Sequence, residues 1–198
     1  MERKYKVILN AEESFARAVA LGVYIRRPLT AWRFLLPGMF IFDVLRRSSE
    51  IRRYSDLFLF PRKLALDGAL DILNGEDRKN ILSRIEKEIR QWLTSLKIYS
   101  ERLLRGHMDE IHLLIDHFSK LLNAVGNGYY ALVKNAYKTR EQYEAHLHQL
   151  TAAEQEIDQA ISNIHGEAID IRERLRAEQA QAEKLREKEV NRTFSRTE

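Results

Sequence analysis

The side chains best suited to metal or acid–base chemistry in this sequence are its histidines, five of which fall in two clusters. The clustered residues are His107, His112, His117, His146 and His148. On a helix, residues three or four positions apart share a face, so Asp109 and Asp116 both lie beside His112. Carboxylate and imidazole groups placed in this way could bind zinc or iron.

The signatures that usually accompany such metal sites are missing from the first cluster. None of its histidines are four residues apart, so it contains no HExxH motif. It has one acid-x-x-His pair, Asp109 with His112, whereas di-iron helical bundles need two Glu-x-x-His pairs. We therefore interpret these histidines as part of solvated polar helix faces and keep Asp109, His112 and Asp116 as candidate metal ligands.

Other catalytic motifs are also missing from the sequence. There is no cysteine, which excludes disulfides, thiolate metal sites and a cysteine nucleophile. The eight glycines are scattered and form neither a phosphate-binding loop nor a Gly-x-Ser-x-Gly motif. We therefore expect a non-enzymatic protein with no cofactor.

The most apolar part of the chain is Trp32–Val44, WRFLLPGMFIFDV, which includes an unbroken apolar run at Phe34–Phe42. A helix that spans a bilayer needs ~20 predominantly apolar residues. Residues 29–45 number only 17, and they include the charged residues Arg33 and Asp43. A straight transmembrane span is therefore a poor interpretation of this stretch.

Arginine pairs flank the apolar stretch on both sides, at Arg26–Arg27 and at Arg46–Arg47. Cytoplasmic flanks of membrane segments attract Lys and Arg. If both flanks are cytoplasmic, the segment enters and leaves on one side, with its turn at Pro37–Gly38. The alternative is burial in a soluble helical bundle, which is the common meaning of an apolar run of about 10–14 residues.

Two sets of contact residues follow from this interpretation. Contact with a membrane or a partner is assigned to Trp32, Phe34, Leu35, Leu36, Met39, Phe40, Ile41 and Phe42. Contact with an anionic surface is assigned to Arg26, Arg27, Arg33, Arg46, Arg47, Arg52 and Arg53. Residues 1–63 carry a net charge of +7 and the remainder carries −3, which favours an anionic partner for the N-terminal region. Lipid headgroups are the first expectation, and nucleic acid is the second.

Helical periodicity covers most of the first two thirds of the chain. After an extended or irregular start, a helix is predicted from Ala11 to Arg27. Residues 48–75 predict a helix that is interrupted or kinked at Pro61. Apolar residues at steps of three and four then predict one helix from about residue 76 to 105 and another at 107–125.

The last part of the chain has a sustained heptad pattern. The residues on its a/d face, which we call the seam, are alternately four and three positions apart. They are Tyr143, Leu147, Leu150, Glu154, Ile157, Ile161, Ile164, Ala168, Ile171, Leu175, Glu178, Ala182 and Leu185. This pattern predicts a long coiled-coil helix, with candidate breaks at Gly166 and at Thr151. The end of such a helix would be exposed, folded back or paired with another chain.

Together these patterns predict an all-α protein, an antiparallel helical bundle with a long C-terminal coiled-coil helix and a basic, apolar N-terminal helical region. The predicted divisions are residues 1–75 for the N-terminal region, 76–150 for the bundle and 151–198 for an exposed coiled-coil helix with a fraying tail.

The function expected from this organisation is a membrane-associated coiled-coil scaffold or adaptor. It would act peripherally or monotopically at the inner face of a membrane, because the first residues do not resemble a secretory signal peptide. Its expected partners are an anionic membrane surface or a protein, with homo-oligomers formed through the C-terminal helix. The alternatives are a soluble cytoplasmic subunit whose apolar region is buried against partner proteins, and a nucleic-acid-binding structural protein.

Overall fold

The computed structural model describes residues 1–25, 39–165 and 169–195. Seven α-helices and no β-strand occur in these ranges, which confirms the predicted all-α class. The helices are α1 (Glu2–Ile25), α2 (Met39–Leu73), α3 (Arg78–Ser95), α4 (Glu101–Asn123), α5 (Tyr129–Tyr137), α6 (Arg140–His165) and α7 (Ile169–Phe194).

The first helix begins at Glu2, so the prediction of a helix that starts at Ala11 is wrong. The reason is that the buried face of α1 includes Ile8, which is completely buried, and continues at Ala16 and Val19. Residues before position 10 are thus part of the same amphipathic helix. Asn10 sits inside the helix, where its carbonyl oxygen accepts a hydrogen bond from the Ser14 hydroxyl at 2.7 Å.

The single helix predicted for residues 76–105 is in fact two helices, α3 and α4. Helix α3 ends at Ser95, and Lys97 then adopts a positive φ of 60°, which turns the chain. Ser100 caps the next helix, because its hydroxyl accepts a hydrogen bond from the Leu103 N–H at 3.2 Å. The predicted start of the following helix at His107 is therefore also wrong, since α4 begins at Glu101.

The last part of the chain is divided among α5, α6 and α7 and is not one long helix. The sequence predicts an exposed extension from residue 151, whereas α7 packs back onto α6 and buries Ala177, Ala182 and Val190. The two helices run antiparallel, as the contacts of Glu154 with Arg186 and of Asp158 with Gln179 show. The apolar seam of the heptad pattern is therefore used, at least in part, within the chain.

The bundle is assembled from antiparallel helix pairs around one core. Helix α1 lies antiparallel to α2, helix α4 antiparallel to α6, and helix α7 antiparallel to α1. One cluster of buried residues draws on all seven helices, on both sides of the boundaries predicted at residues 75 and 150. Any polar side chain that faces inward on these helices must therefore find its partners on neighbouring helices.

The close approach of α2 and α3 yields a stability prediction. A Cβ atom at Gly68 would lie 2.9 Å from Ile85 Cδ1 and 3.0 Å from Ile81 Cγ2, so there is no room for a larger side chain. Gly68→Leu should therefore lower the free energy of unfolding by about 1–3 kcal/mol. The matched change Ala145→Leu, at an exposed position of α6, should stay within about 0.5 kcal/mol of wild type. Urea denaturation of both variants would measure this, and equal stabilities would contradict the packing.

Candidate functional site

Most of the predicted membrane contacts fall outside the part of the chain that the structure describes. Trp32, Phe34, Leu35 and Leu36 lie outside the described residues, as do Arg26, Arg27 and Arg33. Met39, Phe40, Ile41, Phe42, Arg46 and Arg47 belong to the first turns of α2, but their side chains also lie outside the described part. Arg52 and Arg53 are exposed on α2.

The described helices nevertheless show where this region is attached. Because α1 and α2 are antiparallel, the end of α1 at Ile25 and the start of α2 at Met39 belong to the same end of the bundle. Near this end, Val23 of α1 forms a small cluster with Ile51 and Tyr54 of α2. The two helix ends that flank residues 26–38 therefore belong to one end of the bundle. Among the described residues, no helix combines the length and the apolar character that crossing a bilayer requires.

The candidate metal ligands are dispersed on the surface of α4. Asp109, His112 and Asp116 are exposed, and the Asp116 carboxylate accepts a hydrogen bond from Arg78 at 2.7 Å. Within the described ranges, no group of three or more His, Cys, Asp or Glu side chains is placed to hold a metal ion.

The histidines on either side of this surface behave differently from the prediction. His107 and His117 are buried, and His146 is largely buried against His117, with 4.7 Å between the centres of the stacked rings. The interpretation of the clusters as solvated polar faces is thus wrong for these three residues. It fits His112 and His148, which are exposed.

The interior of the bundle contains a network of ion pairs centred on Arg62. This side chain of α2 is buried, and its Nε donates a hydrogen bond to Glu12 of α1 at 2.6 Å. Its Nη1 lies 3.8 Å from a carboxylate oxygen of Glu110 on α4 and 3.5 Å from one of Glu154 on α6. One guanidinium group therefore connects four helices.

A second arginine completes the network from α7. Arg186 donates hydrogen bonds from both of its terminal nitrogens to the Glu154 carboxylate, at 2.6 and 2.7 Å, and another to the Thr151 hydroxyl at 2.9 Å. This bidentate geometry is the strongest form of Arg–carboxylate pairing. Both guanidinium groups also lie over the Phe15 ring, at 5.5 Å for Arg62 and 5.7 Å for Arg186.

The network has unequal numbers of charges. Burial alone would lower the pKa of Arg62, but the neighbouring carboxylates of Glu12, Glu154 and Glu110 outweigh it and raise the pKa, so this residue stays charged. Three carboxylates thus face two guanidinium groups. Arg62 Nη1 makes no hydrogen bond, although it is fully buried. The centre of the bundle therefore holds an excess of negative charge and an unsatisfied donor.

Aromatic and polar side chains of α4, α5 and α6 form a second buried cluster next to the network. His117 Nδ1 and the Tyr137 hydroxyl share a hydrogen bond of 2.7 Å, and the Tyr143 hydroxyl donates to Glu189. Burial lowers the pKa of His117 well below its usual value. Burial, with the positive charges of Lys120, Arg186 and Arg62, lowers the pKa of His146 to about 4. Both rings are therefore neutral at physiological pH.

On the other side of the network lies a cavity of about 240 Å³ between α2, α6, α7 and the junction of α3 with α4. Its walls are mainly apolar and include Leu57, Phe58, Trp92, Leu96, Ile161 and Leu175. Four carboxylates also line it, those of Glu110, Glu154, Asp158 and Glu178. The cavity therefore combines an apolar surface with acidic groups, one of which, Glu178, is hydrogen-bonded to the Tyr54 hydroxyl.

Sequence reasoning missed the residues of this interior, but a signal for two of them was present. Glu154 and Glu178 both occupy seam positions of the heptad pattern, where apolar residues are the rule. A carboxylate at a seam position predicts a buried partner of opposite charge, and Glu154 has two, Arg62 and Arg186. Glu12 and Glu110 gave no comparable signal, since each lies among polar neighbours in the sequence.

Comparison of the chain with protein-family models, with curated proteins and with solved structures finds no match.

The ion network predicts a large effect of removing Arg62. Arg62→Leu leaves the buried carboxylates of Glu12 and Glu110 without a guanidinium partner, so it should lower the free energy of unfolding by about 3–5 kcal/mol. Arg102→Leu removes an exposed ion pair with Glu156 and should cost no more than about 1 kcal/mol. Urea unfolding followed by circular dichroism compares the two. A loss below about 1 kcal/mol for Arg62→Leu would show that the carboxylates do not depend on it.

The buried histidines predict a pH effect. An unfolded histidine has a pKa of about 6.5, so between pH 6.5 and 4 the unfolded chain takes up a proton at position 146 that the folded protein does not. This makes the protein less stable as the pH falls through that window. His146→Phe keeps the ring packing and removes the proton uptake, so its stability relative to wild type should rise by about 2 kcal/mol between pH 7 and 4.5.

Thermal and urea unfolding at several pH values would measure this difference, in which the contributions of all other groups cancel. His148→Phe, at an exposed position of the same helix, is the matched control and should follow the wild-type pH profile. Parallel profiles for His146→Phe and wild type would contradict a neutral, buried His146.

Proposed function

We propose that this protein is a non-enzymatic, membrane-associated helical scaffold whose N-terminal basic and apolar region docks on the cytoplasmic face of a membrane. The observation that supports this most directly is the antiparallel packing of α1 and α2. It attaches both ends of residues 26–38 to one end of the bundle. A segment attached in this way can enter a lipid surface and leave it on the same side while the helices remain in water.

The charge distribution supports an anionic surface as the partner. Residues 1–63 carry +7, and Arg52 and Arg53 are exposed in the N-terminal half of α2. Each Lys or Arg held near an anionic bilayer contributes about 1 kcal/mol of binding free energy. Apolar side chains at the interface add about 25 cal/mol for each Å² removed from water. Neither contribution alone gives firm anchoring, but the two together do.

The rest of the bundle would serve as the part that recruits or spaces partners. The surface that α7 turns to solvent is charged and includes Arg172, Glu173, Glu183 and Lys188. Because the apolar side of α7 packs within the chain, a homo-oligomer formed through the C-terminal helix would use this charged face. Pairing of two chains would add avidity to a weak membrane contact.

Flotation with lipid vesicles tests the membrane interaction. The wild-type protein should float with vesicles of phosphatidylcholine and phosphatidylserine, less with phosphatidylcholine alone, and less again at high salt. Ile41→Asp should reduce the partition coefficient on the anionic vesicles about tenfold or more, because a carboxylate opposes insertion of the apolar segment. Its far-UV circular dichroism and thermal unfolding should match those of the wild type.

The control is Val125→Asp, which introduces the same charge at an exposed apolar side chain between α4 and α5. This variant should bind vesicles as the wild type does. Wild-type protein that stays with the soluble fraction on every vesicle would refute the proposal. If Ile41→Asp unfolds, the segment is part of a protein core or interface, as in a soluble subunit. If the wild-type protein binds duplex DNA in a salt-dependent way and does not bind vesicles, a nucleic-acid partner is favoured.

A further inference from the structure

The cavity beside the ion network has two chemically different parts. Apolar and aromatic side chains form most of its wall, among them Phe58, Trp92 and Ile161. The polar part consists of carboxylates contributed by α4, α6 and α7. Its volume of about 240 Å³ is close to the lower end of the ~300–1,000 Å³ that is usual for small-molecule sites.

The two outer carboxylates of the cavity are hydrogen-bonded to neutral groups. Asp158 accepts a hydrogen bond from the Gln179 amide at 2.5 Å, and Glu178 accepts one from the Tyr54 hydroxyl. In the part of the chain that the structure describes, neither carboxylate has a Lys, Arg or His nitrogen within 4.0 Å. Within that part of the chain, neither carboxylate therefore forms an ion pair.

The inner carboxylates are also incompletely paired. Glu110 is only 5% exposed, and its polar contacts are His107 Nδ1 at 3.4 Å and Arg62 Nη1 at 3.8 Å, the second too long for a hydrogen bond. Arg62, itself 5% exposed, points Nη1 towards Glu110 and Glu154 but forms no hydrogen bond through that atom. Glu110 thus retains acceptor capacity at the inner end of the cavity.

The backbone of α2 also lacks one helical hydrogen bond next to this wall. Pro61 lies inside α2 and has no N–H to donate to the carbonyl of Leu57, one turn earlier, and both residues line the cavity. Carboxylates without an ion-pair partner are groups that a ligand N–H can satisfy. Aromatic faces such as those of Trp92 and Phe58 attract cations as well as apolar groups.

Negative charge on Asp158 and Glu178 is unfavourable in this place. Burial, together with the charge of neighbouring carboxylates, raises the pKa of Asp158 to about 8 and that of Glu178 to about 7. Ionising a buried carboxyl group is unfavourable, and such groups in a cavity are typical of functional sites. A bound cation can offset the free energy of ionisation that the protein itself does not offset.

We propose that this cavity binds a small organic cation with an apolar body, its ammonium group contacting Asp158 and Glu178 and its apolar part lying between Phe58 and Trp92. If the ligand has a second N–H group, the inner carboxylate of Glu110 accepts a hydrogen bond from it. This site is independent of the membrane contact, since it lies inside the bundle and uses none of residues 26–47.

Isothermal titration calorimetry with 2-phenylethylamine, 2-phenylethanol and phenylacetate tests the site. The amine should bind saturably with one molecule per chain, at least tenfold more tightly than the alcohol, and the anion should not bind. Binding of the cation should also release protons from Asp158 and Glu178, which appears as a dependence of the heat on the ionisation enthalpy of the buffer at pH 7. Equal affinities for the amine and the alcohol, or no binding of the amine, would overturn the proposal.

The decisive variant is Asp158→Asn combined with Glu178→Gln. It should lower the affinity for 2-phenylethylamine at least tenfold, to that of the alcohol, and abolish the buffer dependence. Its melting temperature should be no lower than that of the wild type, because both carboxyl groups are unfavourable when ionised. Glu156→Gln, an exposed position of the same helix, should leave the affinity unchanged.

A second variant separates loss of charge from loss of shape. Ile161→Trp places a larger side chain in the cavity wall and should remove binding of the amine and the alcohol alike, while the protein stays folded by circular dichroism. If either the charge-neutral double variant or Ile161→Trp binds the amine as tightly as the wild type, the ligand does not occupy this cavity.

Discussion

The guanidinium group of Arg62 is the interaction on which the arrangement of the helices depends. It meets carboxylates from α1, α4 and α6, so those three helices and α2 must lie in one register along the bundle axis. A shift of any helix by one turn, about 5.4 Å, would leave a buried charge without its partner. Removing one member of a buried charge pair costs several kcal/mol, and misaligned packings of the same amphipathic helices are penalised by that amount.

This kind of centre provides specificity at the expense of stability. The apolar residues of the core, such as Phe118 and Leu114, would pack in several helix registers with similar energies. The ion pairs in the same interior all form in only one of these registers, so they select it. Buried polar residues select the register of coiled coils in the same way. The excess of carboxylates over guanidinium groups means that the network is not itself neutral, and the negative surplus lies next to the cavity.

The fold class could be predicted from the sequence because helical periodicity is a local property. Most helix ends were harder, since they depend on single residues: Ser100 and Lys97 divide what the periodicity alone predicts as one helix. The reversal of the chain between α6 and α7 was foreseen only as one option, because a heptad seam is equally compatible with a partner from the same chain or from another.

The interior site could not be predicted, because it depends on which helices are neighbours. Glu12, Arg62 and Arg186 are far apart in sequence and each looks like an ordinary surface charge. The histidines illustrate the same limit: His107 and His112 lie five residues apart on α4, yet one is buried and the other exposed. Whether a residue on a helix is buried or exposed depends on which neighbouring helix packs over it. Residues 26–38, which include part of the most apolar stretch of the sequence, lie outside the described residues.

The packing of the first helix against the last one constrains how the chain can fold during synthesis. Gln181 Nε2 donates a hydrogen bond to the carbonyl of Ala18, 163 positions earlier, and its side chain fills the space over Gly22. Helices α1 and α2 can pair as soon as both have left the ribosome, but one face of α1 stays uncovered until α7 follows. Arg186 arrives in that same helix, so the charges at the centre are completed last. Until α7 has been synthesised, the Glu154 carboxylate therefore lacks the guanidinium group of Arg186.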